Sequence, residues 1–235
     1  MSASTRAVVQ QIRSALAAQK AGNAASGREP QENHATTFLL AEHTRLCALY
    51  LETRETADRR TTLFLTLTTT IVGVLVAAFQ FKLAPRDFLE TALAAAVGVV
   101  VLGAITFHRL LERSMQGTEY LRAINRIHRY FVERAPETEP YLYWPAFDDL
   151  PAYDLRGVGG AEQREIVVII DGLFSGAMVA LVVLIVDPSQ VLVAAGAGVV
   201  GGLLAVLLHR QYEHLSMKRE ERRKKSQIRF PHDKA

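Results

Sequence analysis

One ionisable side chain, Asp171, lies inside a long apolar stretch of the sequence, Ile166 to Val186. A charged group at the centre of a membrane-spanning helix costs about 2.5–3.5 kcal/mol, so such a carboxylate is a candidate for ion or proton chemistry. His209, Arg210 and His108 stand at the ends of neighbouring apolar runs, where each could reach it. We expect either a structural ion pair with one of these residues or a relay for protons or ions.

A glycine motif of the form GxGxxG runs from Gly196 to Gly201. In a dinucleotide site this motif follows a strand and opens a helix, with an acidic residue about 20 positions later. Here it lies in the middle of Pro188 to Leu208, 21 residues without a charge, and so does not indicate a nucleotide site. Metalloprotease, P-loop, dithiol and nucleophile-elbow motifs do not occur either. We expect a non-enzymatic protein with no cofactor and no metal.

The same glycines belong to a second pattern, in which small residues recur at every fourth position. Small residues at this spacing let two helix backbones approach closely inside a membrane, where lipid offers no hydrophobic drive for association. The pattern predicts a tight helix pair, formed either within one chain or between chains. The residues concerned are Gly172, Gly176 and Ala180 in one run and Ala194, Gly198 and Gly202 in the next.

Four apolar runs are long enough to cross a bilayer, which takes about 20 residues of helix. They are Thr61 to Phe81, Thr91 to Phe107 (extended by Phe88 and Leu89), Ile166 to Val186 and Pro188 to Leu208. A soluble helical bundle is the alternative, but its helices would carry a polar face, and runs such as Ala92 to Leu102 have none. The sequence predicts an all-α polytopic membrane protein.

The connections arrange these runs as two hairpins. Lys82 to Glu90 and Asp187 to Ser189 are short, whereas the stretch from His108 to Glu165 is long and polar. Of the 27 Lys and Arg residues, the two short turns carry only Lys82 and Arg86. Basic residues mark the cytoplasmic side of an inner membrane. We therefore expect a multi-pass protein of the inner (plasma) membrane with both termini in the cytoplasm.

Helical extensions are expected on the cytoplasmic side. Thr36 to Arg60 and His108 to Arg134 carry apolar residues at helical spacing and continue into the first and second spans. The chain divides into a flexible N-terminus (1–35), a cytoplasmic helix with the first hairpin and its extension (36–134), a connector (135–165), the second hairpin (166–208) and a basic tail (209–235).

The connector contains prolines and the aromatic residues Tyr141, Tyr143, Trp144 and Phe147. Such rings either anchor a protein at the headgroup level or bind a cytoplasmic protein partner. A glycine-rich hinge, 157–160, is expected before the third span.

The tail carries a basic cluster next to the fourth span. Each such charge near an anionic membrane surface contributes about 1 kcal/mol of attraction. We expect contact with anionic headgroups and no nucleic acid, because no aromatic or fold context for nucleic-acid binding accompanies the charges. The residues are Lys218, Arg219, Arg222, Arg223, Lys224 and Lys225.

Threonines are frequent in the first span, where Thr66 and Thr70 stand one turn apart. Their hydroxyls either bond back to the carbonyls of their own helix or line a polar path.

Two stretches resemble uncharacterised bacterial four-span membrane proteins. In Leu51 to Gly73 a charged helix ending in Arg59-Arg60 enters a threonine-rich span, and Tyr120 to Phe131 is followed by Pro140-Tyr141-Leu142. The helix-into-hairpin layout is more distantly similar to SLATT-type two-span effectors of bacterial conflict systems. That resemblance implies a membrane pore, and the second hairpin departs from it.

These observations lead to one main expectation and two rivals. The main expectation is a homo-oligomer that self-associates through its small residues and acts as a pore or membrane effector. The first rival is a small transporter or ion-coupled carrier that uses Asp171. The second is a scaffold that binds lipid through its tail.

Overall fold

The computed structural model describes residues 14, 17, 30–81, 84–153 and 161–232, without the side chains of residues 30–33. Within these ranges every regular element is helical. The four α-helices are α1 (Pro30–Gln80), α2 (Pro85–Arg134), α3 (Ala161–Val186) and α4 (Val191–Lys224). Two short 3-10 helices follow α2 and α4, at Pro136–Tyr141 and Lys225–Gln227.

Each α-helix contains a stretch that is long and apolar enough to span a membrane. The predicted all-α class with four such helices is therefore confirmed. Large apolar side chains face outward along these stretches, for example Leu173 at 68% and Leu192 at 89% exposure. Hydrocarbon removes the penalty that water would impose on such surfaces, so outward-facing leucines are what a membrane-spanning helix requires.

Three of the helices are much longer than a span. At about 1.5 Å per residue, the 51 residues of α1 and the 50 of α2 each extend roughly 75 Å. The predicted helical continuations of the first and second spans are confirmed, and Gly117 does not interrupt α2. The continuation of α4 to Lys224 was not predicted. It follows from strong helix formers and the absence of Gly and Pro between His209 and Lys224.

By packing, the chain forms two units. Among the described residues, the extension unit consists of those within 1–52, 119–150 and 229–232, and the span unit of those within 53–118 and 151–228. The core of the extension unit is Leu46 on α1 against Ile124 and Ile127 on α2. The core of the span unit joins all four helices and contains, among others, Phe64, Val99, Phe107, Leu110, Leu111, Val167, Val168 and Met217.

The turn between α3 and α4 is held by one side chain. The Asp187 carboxylate accepts hydrogen bonds from the Ser189 amide at 3.0 Å and the Ser189 hydroxyl at 2.7 Å. This is the local bond by which aspartate favours turns, and it brings α4 back along α3.

Several predicted features lie outside the described residues. They include most of the flexible N-terminus (1–35) and the glycine-rich hinge at 157–160. The five-segment division of the chain remains a prediction.

Candidate functional site

Asp171 lies ten residues into α3, and its side chain is completely buried in the span unit. It is the carboxylate that the sequence marks as an intramembrane charge. Neither carboxylate oxygen receives a well-aligned hydrogen bond from the described residues. A buried carboxylate without donors is strongly disfavoured in its charged form unless a counter-charge lies close by.

That counter-charge comes from His209 on α4. Its Nε2 lies 3.1 Å from Oδ2 of Asp171, within ion-pair distance. Its Nδ1 lies 2.9 Å from the carbonyl oxygen of Ala205, which can only accept, so Nδ1 carries a proton. If Nε2 were bare and the carboxyl ionised, two lone pairs would face each other at 3.1 Å. The pair therefore holds one further proton, on Nε2 or on the carboxyl.

The third side of the site is formed by α2. A Cβ atom at Gly103 would overlap the carboxyl group of Asp171, so only glycine leaves room for it. Four residues later, the ring of Phe107 meets the ring of His209 edge to face, with 4.9 Å between centroids. Phe107 is 2% exposed, and its ring covers the His209 imidazole with an apolar surface.

Two ion pairs near the N-terminus of α3 fix its register on α4. Arg164 is almost buried, and its Nε lies 2.9 Å from the Glu213 carboxylate. Arg210 contacts Glu165. Each pair joins one residue of α3 to one of α4, so together they hold the two backbones at the level that places Asp171 beside its partner.

The three predicted partners of Asp171 make different contacts in the structure. His209 contacts it, whereas Arg210 is engaged with Glu165. The Nδ1 of His108 lies 3.2 Å from the hydroxyl of Tyr212. The sequence named Asp171 and His209 but gave no indication of Gly103, whose importance depends on how α2 packs.

The small residues of α3 and α4 face each other within one chain. A Cβ at Gly176 would stand 2.6 Å from the carbonyl oxygen of Gly198, and one at Gly202 would stand 2.8 Å from that of Gly172. Ala180 contacts the same face at Gly198, and Ala194 is 2% exposed. The structure thus places this close approach inside the protomer.

The same small residues leave an open apolar groove of about 450 Å³ along α3 and α4, whose lining also includes Leu173, Val199 and Leu203. Its lining supplies almost no polar surface, so it offers no chemistry beyond apolar contact.

The threonines of α1 are satisfied by their own helix. The hydroxyls of Thr62, Thr66, Thr69 and Thr70 donate to carbonyls four residues earlier, at 2.8–3.0 Å. Back-bonding of this kind explains how four hydroxyls are accommodated on an exposed helix face, and a polar path is not needed to explain them.

The basic cluster lies on the far part of α4. Lys218 is ten residues beyond Leu208, about 15 Å along the helix axis, and the cluster ends about 10 Å further on. The headgroup layer is only about 5–8 Å deep on each side of the hydrocarbon. Arg223 is also paired, with its Nη2 2.5 Å from Glu220. Lipid contact by these six residues remains a prediction, and it would require α4 to lie at a strong tilt.

In the extension unit the sequence missed a buried carboxylate, Asp148. It accepts hydrogen bonds from the backbone amides of Arg229 at 3.0 Å and Phe230 at 2.8 Å, and from Nε of Arg126 at 2.7 Å. Burial alone would raise the pKa of this carboxyl, but the three donors outweigh burial and lower it. The available signal was the polar spacing of Arg122, Asn125 and Arg126 on α2.

Two histidines of the extension unit also meet. Nε2 of His43 on α1 lies 3.2 Å from Nε2 of His128 on α2, and Sγ of Cys47 lies 3.8 Å from the His43 ring. Burial lowers the pKa of both imidazoles and raises that of the Cys47 thiol. Over the described part of the chain, no three His, Cys, Asp or Glu side chains are arranged to hold a metal ion.

The connector aromatics divide into two sets. Tyr141 and Tyr143 are 88% and 90% exposed, whereas Phe147 packs edge to face on His232 with 5.0 Å between centroids. The predicted partner-binding or anchoring surface is therefore confined to the exposed set, which includes Trp144.

Comparison of the chain with protein-family models, curated proteins and solved structures finds no match.

Proposed function

We propose that this protein is a small ion-coupled membrane carrier, and that its coupling ion is a proton held by Asp171 and His209. The observation that supports it most directly is the geometry of the pair. The carboxyl is fully buried without a well-aligned donor, and its histidine neighbour is fixed through Nδ1 on a carbonyl. An intramembrane pair of this kind can gain or lose a proton only with a change in its packing.

The position of the pair links protonation to helix packing. Asp171 is on α3, His209 is on α4, and Gly103 of α2 closes the site. Removing the shared proton leaves an uncompensated negative charge among three helices, which favours an arrangement that admits water or another cation. Alternating between these two arrangements is the step that a carrier requires.

Proton binding can be tested without knowing the transported substrate. Infrared difference spectra between acidic and alkaline pH should contain a carboxyl signal that Asp171→Asn removes. Glu90→Gln is the matched control, because Glu90 is an exposed carboxylate of α2 paired with Arg86. A signal that survives Asp171→Asn, or disappears equally in Glu90→Gln, would exclude the proposed site.

Transport itself is measured in proteoliposomes loaded with a pH-sensitive dye, under an imposed potential. We expect the wild-type chain to carry protons, and Asp171→Asn or His209→Gln to lower the rate at least about tenfold with the mass in detergent unchanged. If Asp171→Asn unfolds or disassembles the protein instead, the pair is a structural ion pair and the carrier proposal is wrong.

The pore or effector role receives less support from the geometry. It rested on self-association through small residues, and in the structure these residues contact each other within one chain. Self-association through this face would have to use the open groove beside the helix contact.

We also propose the inner membrane as the location, with both termini in the cytoplasm. The support is the distribution of charge, since 25 of the 27 basic residues lie outside the two short turns. Absence of an enzymatic activity remains part of the same proposal.

A further inference from the structure

The acidic loop, defined as Phe147 to Leu150, is held rigidly by α2. Nδ2 of Asn125 donates to the carbonyl oxygens of Phe147 at 3.0 Å and Leu150 at 2.8 Å. Nη2 of Arg122 donates to the carbonyl oxygen of Asp149 at 3.0 Å. The loop therefore turns these three carbonyls toward α2, and the Asp148 carboxylate, besides its bond from Nε of Arg126, accepts hydrogen bonds from a second ligand.

That ligand is the C-terminal segment, defined as Arg229 to His232. Besides the two amides bound by Asp148, the amide of His232 donates to the Asp149 carboxylate at 3.0 Å. The amide of Asp148 donates in return to the carbonyl oxygen of Phe230 at 3.2 Å. These bonds join backbone amides to charged acceptors, which is the stronger class of hydrogen bond.

The contacts have the character of peptide recognition. Three amides of the C-terminal segment bind carboxylates, and its Pro231 has no amide to satisfy. The ring of Phe147 packs edge to face on His232, and the guanidinium of Arg129 on α2 lies 6.0 Å from the centroid of the Phe147 ring. The acidic loop thus recognises three backbone amides of the C-terminal segment and the ring of His232.

The segment is also joined to the rest of the chain by a short hinge. Only Ile228 separates the 3-10 helix Lys225–Gln227 from Arg229. Exchange of such a self-contained binding segment between two copies keeps every contact of the closed state, and it is therefore a low-cost route to a dimer.

We propose that the acidic loop is a peptide receptor, and that two copies of this chain associate by exchanging their C-terminal segments. The occupant of each acidic loop is then Arg229 to His232 of the second copy. This inference is independent of the proton site, which lies among other residues.

Complementation between two defective chains tests the exchange. One variant ends at Ile228 and keeps the receptor without the segment. The other carries Asp148→Ala and keeps the segment without the receptor. Each is given a different N-terminal tag, and the two are co-expressed and purified through one tag. We expect the mixed pair to co-purify at least about tenfold more than either variant with itself, and the wild-type chain to co-purify with itself. Equal recovery of all pairs, or none for the mixed pair, would overturn the exchange.

A peptide experiment covers the case in which Asp148→Ala does not fold. A labelled peptide of residues 228–235 is titrated onto the chain that ends at Ile228, in detergent. Saturable binding is expected, with weaker binding to the full-length chain, whose receptor is occupied. N-methylation of the peptide at Phe230 removes the donor of the 2.8 Å bond and should weaken binding about tenfold. Without saturable binding, or with equal binding of the methylated peptide, the receptor assignment is wrong.

Discussion

The missing side chain at Gly103 gives the Asp171 carboxyl its place in the span unit. A carboxyl that reaches a helix neighbour in a packed interior needs space as well as a counter-charge. The space comes from α2 and the counter-charge from His209 of α4. At the scale of single residues, the site therefore depends on an absent methyl group as much as on the two ionisable groups.

Gly103→Ala is expected to destabilise the protein, because the new Cβ would overlap the Asp171 carboxyl. Overpacking of this kind typically costs about 1–3 kcal/mol. The measurement is the midpoint of thermal unfolding in detergent. Gly98→Ala on the same helix is the control, since nothing lies within 4 Å of a Cβ there, and its midpoint should stay the same or rise. A midpoint equally unaffected in both variants would mean that α2 does not close the site.

The contact between His43 and His128 predicts that the free energy of unfolding depends on pH. Burial lowers the pKa of His43 and His128 in the folded chain, so near and below pH 6.5 the unfolded chain binds more protons. Their contribution to the free energy of unfolding is complete above about pH 6.5, and it is lost as the pH falls toward the lowered pKa values of the two imidazoles. Two protonated rings would also face each other across 3.2 Å.

Chemical unfolding between pH 7.5 and 5 measures this dependence. His128→Gln should flatten the profile, whereas His214→Gln, at an exposed position of α4, should leave it unchanged. A wild-type profile that does not fall with acidification, or one that His214→Gln flattens equally, would contradict the assignment.

At the scale of helices, α3 and α4 form a pair in which backbone lies against backbone. The carbonyl oxygens of Gly172 and Gly198 each occupy the space of a side chain that the opposite helix lacks. In lipid, this close packing replaces the hydrophobic drive that would join two helices in water.

Gly176→Leu should therefore separate the two helices, because a Cβ at this position already approaches the Gly198 carbonyl to 2.6 Å. Gly196→Leu adds the same side chain to α4 at a position where nothing lies within 4 Å. We expect a clear fall in the unfolding midpoint for the first variant and little change for the second. If the contact joined two chains instead, Gly176→Leu would lower the mass measured in detergent and leave the midpoint unchanged.

At the scale of the whole molecule, long helices carry the chain well past its membrane spans. The charges that lie on these extensions are the basis of the proposed orientation, since the short turns are nearly free of them.

Topology can be measured by labelling single cysteines with an impermeant maleimide, after Cys47→Ser removes the native thiol. Ser189→Cys, in the turn between α3 and α4, should react in intact cells. Ser226→Cys, beyond the end of α4, should react only after the membrane is permeabilised. The reverse pattern would invert the orientation, and equal labelling of both before permeabilisation would contradict four crossings.

Four apolar spans, the helical extensions of the first two and the identity of Asp171 followed from the sequence alone. Each depends on solvation and on short-range periodicity, which a run of residues such as Ile166 to Val186 expresses in its own composition. The choice of His209 among three partners, the space at Gly103 and the pairing of glycines within one chain depended on how distant helices pack. Asp148 was missed for the same reason, because its donors lie 22 to 82 residues away in the chain. Solvent preference is a property of each segment, whereas a contact is a property of two segments, and only the tertiary structure brings those two together.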